Sequence, residues 1–133
     1  MLVESKILLE LDVPTVSGYI YPKELSVSIM KTIQDNNIGG VIYSQSNIPD
    51  PETIVPMFRV TNPVLIVDSS VVEPELVILC DIELDETKIT MDVLHDLETK
   101  PWRLSVVGMG ETEENVIKTY ELKYVNIEIV EDI

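Results

Sequence analysis

Ile7, Leu9, Leu11 and Val13 alternate with Lys6, Glu10 and Asp12, which is the period of a half-buried strand, and Pro14 ends it. Gly18 supplies a turn, and Pro22 suits the first turn of a helix over 23–35 that repeats Leu25, Ile29 and Ile33 at spacings of four. Asn36, Asn37, Gly39 and Gly40 tolerate left-handed backbone and close that helix, and Val41–Ser44 follows as a short strand. Residues 44–53 have the turn chemistry of a loop, with Asp50 or Pro51 opening a short helix through Phe58. Pro63–Asp68 reads as a short buried strand. From 76 to 84 the alternation is plain: Leu76, Ile78, Cys80, Ile82 and Leu84 share one face, while Asp81, Glu83 and Asp85 take the other. Helical spacing returns over 89–97 with Met91, Leu94 and Leu97; Trp102, Leu104 and Val106 mark another strand, and Gly108 and Gly110 are expected to turn the chain.

The last segment changes phase. Tyr120, Leu122 and Tyr124 share one parity, whereas Val125, Ile127 and Ile129 take the other, so a bulge or corner is expected near Tyr124. Such a bend lets one long strand serve two parts of a barrel or sandwich. The pattern therefore predicts an α+β fold, a small, mostly antiparallel β-barrel or sandwich with two to three helices.

Composition narrows the function more than the fold. With 133 residues, 45% of them hydrophobic, the chain can bury a core as a single domain over 1–133. Asp and Glu outnumber Lys and Arg by 24 to 9, and the formal charge of −15 repels phosphate backbones and anionic lipid, so neither nucleic acid nor membrane is an expected partner. The same field favours a basic protein surface. Met1–Val13 carries acids within its apolar stretch and lacks the pattern of a signal peptide, which points to the cytoplasm or to something assembled there. The single cysteine, Cys80, lies in an apolar run and reads as a buried structural thiol.

Few residues suggest chemistry. Asp81, Glu83, Asp85 and Glu86 resemble the start of a calcium loop, but Glu86 stands where the sharp turn needs glycine, so a solvated acidic strand face is the better reading. Gly108-Met109-Gly110 opens like a dinucleotide fingerprint, yet Glu113 occupies the third glycine's place, and Glu111 and Glu114 would repel a pyrophosphate. His95, the only histidine, sits in a predicted helix with no orienting carboxylate or oxyanion hole legible near it. No cofactor and no metal are expected.

Two segments, taken together, resemble the bacteriophage prohead protease family, phage relatives of the herpesvirus assembly proteases. Ser17-Gly18-Tyr19-Ile20-Tyr21-Pro22-Lys23-Glu24-Leu25 is similar to the family's Asn-Gly-Arg-Ile-Tyr-Pro-x-Glu-Val pattern, and Leu104-Ser105-Val106-Val107-Gly108-Met109-Gly110 to its nucleophile segment Ser-Ser-Arg-Gly-x-Gly. Tyr120-Glu121-Leu122 and Asn126–Val130 look like the strand that follows. The order agrees over residues 17–130. The resemblance implies that Ser105 is the nucleophile's relic. The family's general-base histidine falls at Asn47 or Ile48, within Ser44-Gln45-Ser46-Asn47-Ile48-Pro49, and its arginine at Val107. An amide cannot accept the serine proton. The implied protein is an inactive relative serving as a structural part of a phage particle: a capsid decoration or cement protein, or a neck or tail adaptor. It would be made in the host cytoplasm, reside in the virion, and bind capsid, neck or tail proteins in symmetric multiple copies. The competing expectations are a live serine hydrolase using Ser105 with His95 or another base, and an acidic inhibitor that mimics nucleic acid.

Overall fold

The computed structural model describes residues 2–44, 56–69 and 75–130. Among them two α-helices and seven strands form two sheets. One sheet orders its strands as β1 (Leu2–Glu10), β5 (Glu75–Leu84), β4 (Phe58–Asp68) and β2 (Gly39–Gly40); the other as β3 (Ile42–Tyr43), β7 (Val116–Ile129) and β6 (Trp102–Glu113). Every pairing is antiparallel except the short one between β3 and β7. The fold is thus α+β and mostly antiparallel, as the pattern predicts.

The two sheets are joined at the crossing between β2 and β3, and again through Ile20, which bridges Pro14 just past β1 and Val116 of β7. Val41 alone separates β2 from β3, so the chain crosses there from the first sheet to the second. The Val41 carbonyl accepts from the Ile127 N–H at 2.9 Å and its own N–H donates to Asn126 Oδ1 at 3.2 Å. Glycine is required at this crossing, because a Cβ on Gly40 would overlap the Val125 carbonyl oxygen and one on Gly39 the Phe58 carbonyl. On the opposite side β1 and β6 are both terminal strands and no ladder joins them, so the sheets do not close into a barrel and the molecule is sandwich-like. Strand β1 is itself irregular: Ser5 adopts φ 58° and its register with β5 slips between Val3 and Lys6 and again between Ile7 and Leu9, so its edge is not a regular template.

Helix α1 (Ser26–Asp35) follows a short 3₁₀ turn at Lys23–Leu25 and buries Ile29 and Ile33, two of the three residues whose spacing predicts it. Helix α2 (Met91–Thr99) starts at Thr90, whose side chain accepts from the Val93 N–H at 3.3 Å. Strand β5 lies between β1 and β4, and its Ile78, Cys80, Ile82 and Leu84 are buried on the expected parity. They face a core that also takes Val125, Ile127 and Ile129 of β7. The expected phase change in β7 is a bulge: Val107 faces Tyr124 but Gly108 faces Leu122, leaving Lys123 as the extra residue.

Three expectations need correction. Phe58 does not end a helix; it opens β4, pairing with Leu84, while residues 45–55, where that helix was expected to begin, lie outside the described residues. Val64, Leu65 and Val67 are exposed rather than buried, because β2 covers β4 only at Phe58 and Arg59 and the strand runs on past the core. Gly108 and Gly110 do not turn the chain: β6 continues to Glu113, and the turn falls at Glu114 and Asn115, both with positive φ. A Cβ on Gly108 would press within 2.8 Å of the Tyr120 ring, so this glycine serves close packing inside a strand.

Candidate functional site

Ser105 lies in the middle of the first half of β6, paired across to Asn126 of β7. Because β6 is a terminal strand, its outer edge looks onto β1, and between the two runs an open groove of about 760 Å³. Ile7 and Glu10 from β1 and Leu104, Ser105 and Val106 from β6 form its walls, with Tyr21 and Ser17 at one end and Lys6 and Trp102 at the other.

The polar groups of this groove are committed to one another. Arg103 donates to both carboxylate oxygens of Glu128 at 3.0 Å, a bidentate pair whose hydrogen bonds hold the guanidinium pKa above its ordinary value. Glu128 is also in register with Tyr43 on β3; burial, then the Glu128 charge, push the Tyr43 hydroxyl pKa up. Lys6 Nζ sits 4.6 Å from the centre of the Trp102 ring across the seam, and Trp102 Nε1 donates to the Leu97 carbonyl at 3.1 Å. No hydrogen bond joins Ser105 to a base among the described residues. His95, offered as its alternative partner, is exposed on α2 and is not part of the groove wall. Asn47, which the resemblance places where a catalytic histidine would stand, lies outside the described residues, as does Ile48. Val107 is half-buried beside Ser105 on β6.

Other sequence candidates resolve into structure. Asp81 accepts from Asn62 at 3.0 Å and from the Ser5 N–H at 3.1 Å, which lower its pKa in that order of weight. Glu83 pairs with Arg59 at 2.8 Å, and the Thr87 hydroxyl is the main cause of a lowered pKa at Asp85. These acids tie strands and a turn together and do not converge. Gly108 and Gly110 lie within a strand, not at a strand-to-helix turn where a pyrophosphate would sit. Cys80 is 1% exposed, and burial pushes its thiol pKa up to about 12, which keeps it unreactive. No described helix is long and apolar enough to cross a membrane.

One end of the groove is electrostatically crowded. Asp68 and Glu75 face each other across β4 and β5, and Glu10, a groove residue, lies beside Glu75. Desolvation, and then the charge and hydrogen bond of Glu10, raise the Glu75 pKa. A carboxyl whose folded pKa is raised destabilises the fold while ionised, and the penalty disappears as pH falls through that raised pKa. Glu75→Gln is therefore expected to melt higher than the parent at neutral pH, with the two melting curves converging in acid. Thermal scans across that range check it; a gain that persists in acid would contradict the assignment.

Compared with known protein families, curated proteins and solved structures, the chain matches none. The groove residues that sequence reasoning missed are Lys6, Trp102, Arg103 and Glu128. Their only sequence signal is a tryptophan and an arginine entering a strand.

Proposed function

We propose that the protein is a non-enzymatic structural component of a bacteriophage particle, in the first place a capsid decoration or cement protein and in the second a neck or tail adaptor. It would be made in the host cytoplasm, end in the virion, and contact capsid, neck or tail proteins in repeated copies. The observation that carries this reading is the setting of Ser105. The serine that resembles a nucleophile sits in an open groove, yet the carboxylate nearest in register, Glu128, is held by Arg103, and the only histidine is elsewhere. What remains is a surface: a strand edge on β6 with no partner strand among the described residues, on an acidic molecule, which suits docking rather than turnover. The prohead-protease resemblance over residues 17–130 supplies the phage context.

A serine hydrolase is the second reading, and one observation favours it. Lys6 lines the same groove as Ser105, and serine–lysine pairs are a known form of activated nucleophile. Lys6 is, however, engaged with the Trp102 ring. A fluorophosphonate probe separates the readings: no labelling of the full chain is expected, and labelling abolished by Ser105→Ala would overturn the non-enzymatic reading. Particles assembled without the protein should show unstable heads or faulty tails by electron microscopy; particles normal in form and stability would count against the structural role.

A further inference from the structure

Among the described residues strand β6 pairs only with β7 and strand β1 only with β5, and no hydrogen bond joins the two across the groove. On β6, Leu104, Ser105, Val106 and Val107 are all half-exposed whatever their parity, and across from them Ile7 is 44% exposed. An apolar trough beside the unused main-chain edge of β6 has the requirements of strand addition, in which backbone hydrogen bonds give affinity and alternate side chains give specificity. Charge then selects the occupant. Of the groove cations, Arg103 is neutralised by Glu128, while Lys6 keeps its charge against the Trp102 ring, four positions along β1 from Glu10. Glu10 is left at the far end beside Glu75, which in turn faces Asp68, on a chain of net charge −15. A second copy would bring the same charge and the same Glu10 into the contact, whereas a cationic segment relieves the crowding.

Resting on the reading of the protein as an assembly component, we propose that the groove between β1 and β6 takes an extended segment of a basic partner protein. The segment adds to the free edge of β6, sets apolar side chains on Ile7, Leu104 and Val106, and places a lysine or arginine against Glu10.

The test uses the full chain and a fluorescein-labelled peptide, KVTVKVTVK, followed by anisotropy at about 0.15 M salt. Binding is expected, and it should weaken by about tenfold or more when the central lysine of the peptide is replaced by proline, which cannot pair as a strand. The same loss is expected for Ile7→Lys and for Glu10→Lys. Glu98→Lys, exposed on α2 and away from the groove, makes the same charge change and should stay within about twofold of the parent. Ile7 and Glu10 are exposed, so circular dichroism should show both variants folded; if Ile7→Lys does not fold, Glu10→Lys and the proline peptide carry the test. Absence of binding would overturn the inference. So would equal losses in Glu10→Lys and Glu98→Lys, or a self-associated dimer that excludes the peptide. If the peptide fails while particles lacking the protein are still defective, the groove assignment falls and the particle reading stands.

Discussion

Gly40→Ala is expected to leave the chain without a stable fold, or to lower its stability by more than about 3 kcal/mol, the upper end of what overpacking costs. The added methyl would overlap the Val125 carbonyl oxygen, and backbone cannot rotate away as a side chain can. The site is also where the chain passes between sheets, held by Val41 to Asn126 and Ile127. Moving β2 away from β7 would break those bonds, and moving it toward solvent would unpair Gly39 and Gly40 from Arg59 and Phe58. Neither relaxation is local. A domain of this size has roughly 5–15 kcal/mol in total, so the loss is a large share of it. Urea unfolding followed by circular dichroism measures it; a variant within about 1 kcal/mol of the parent would show that the crossing is looser than the geometry implies.

Ile82→Ala should cost about 3–4 kcal/mol, whereas Val64→Ala in the neighbouring strand should cost less than about 1 kcal/mol. Ile82 is 0% exposed on β5, flanked by Val60 of β4 and Val3 of β1, so truncation removes buried apolar surface and leaves a cavity that three strands cannot collapse. Val64 is 51% exposed on the part of β4 that runs past the core. The pair tests the architecture and not merely hydrophobicity, since both residues are β-branched and both occupy strands. Comparable losses at the two sites in urea titrations would mean that the outer half of the β4–β5 hairpin is covered by something.

Much of the local structure is legible in the order of residues. Alternation over 76–84 places Ile78, Cys80, Ile82 and Leu84 on the buried face, spacings of four identify α1, and the parity change in β7 locates the bulge to within a residue. These succeed because each depends on neighbours a few positions apart, where strand and helix periods act directly. The same reasoning fails where one local signal has two tertiary uses. Glycines at 108 and 110 suit a turn, yet here they admit Tyr120 and the Thr119 backbone against a continuous strand. Val64–Val67 is apolar enough for a core strand, yet its partner strand β2 is too short to cover it. An apolar run reports only that burial would be favourable, not that a neighbour reaches it.

The candidate site shows the division most clearly. From the sequence alone follow an acidic, mostly antiparallel α+β domain, a serine in a strand with no catalytic apparatus beside it in the chain, and a resemblance that names Ser105 and Asn47. The tertiary structure decided that Ser105 opens onto a groove, that His95 is not there, and that Lys6, Trp102, Arg103 and Glu128 are. Arg103 and Glu128 are 25 positions apart and Val41 and Asn126 are 85 apart, so their meeting depends on strand register and on which edges are left unpaired. Register is set by the packing of the whole core, which no short stretch of chain contains.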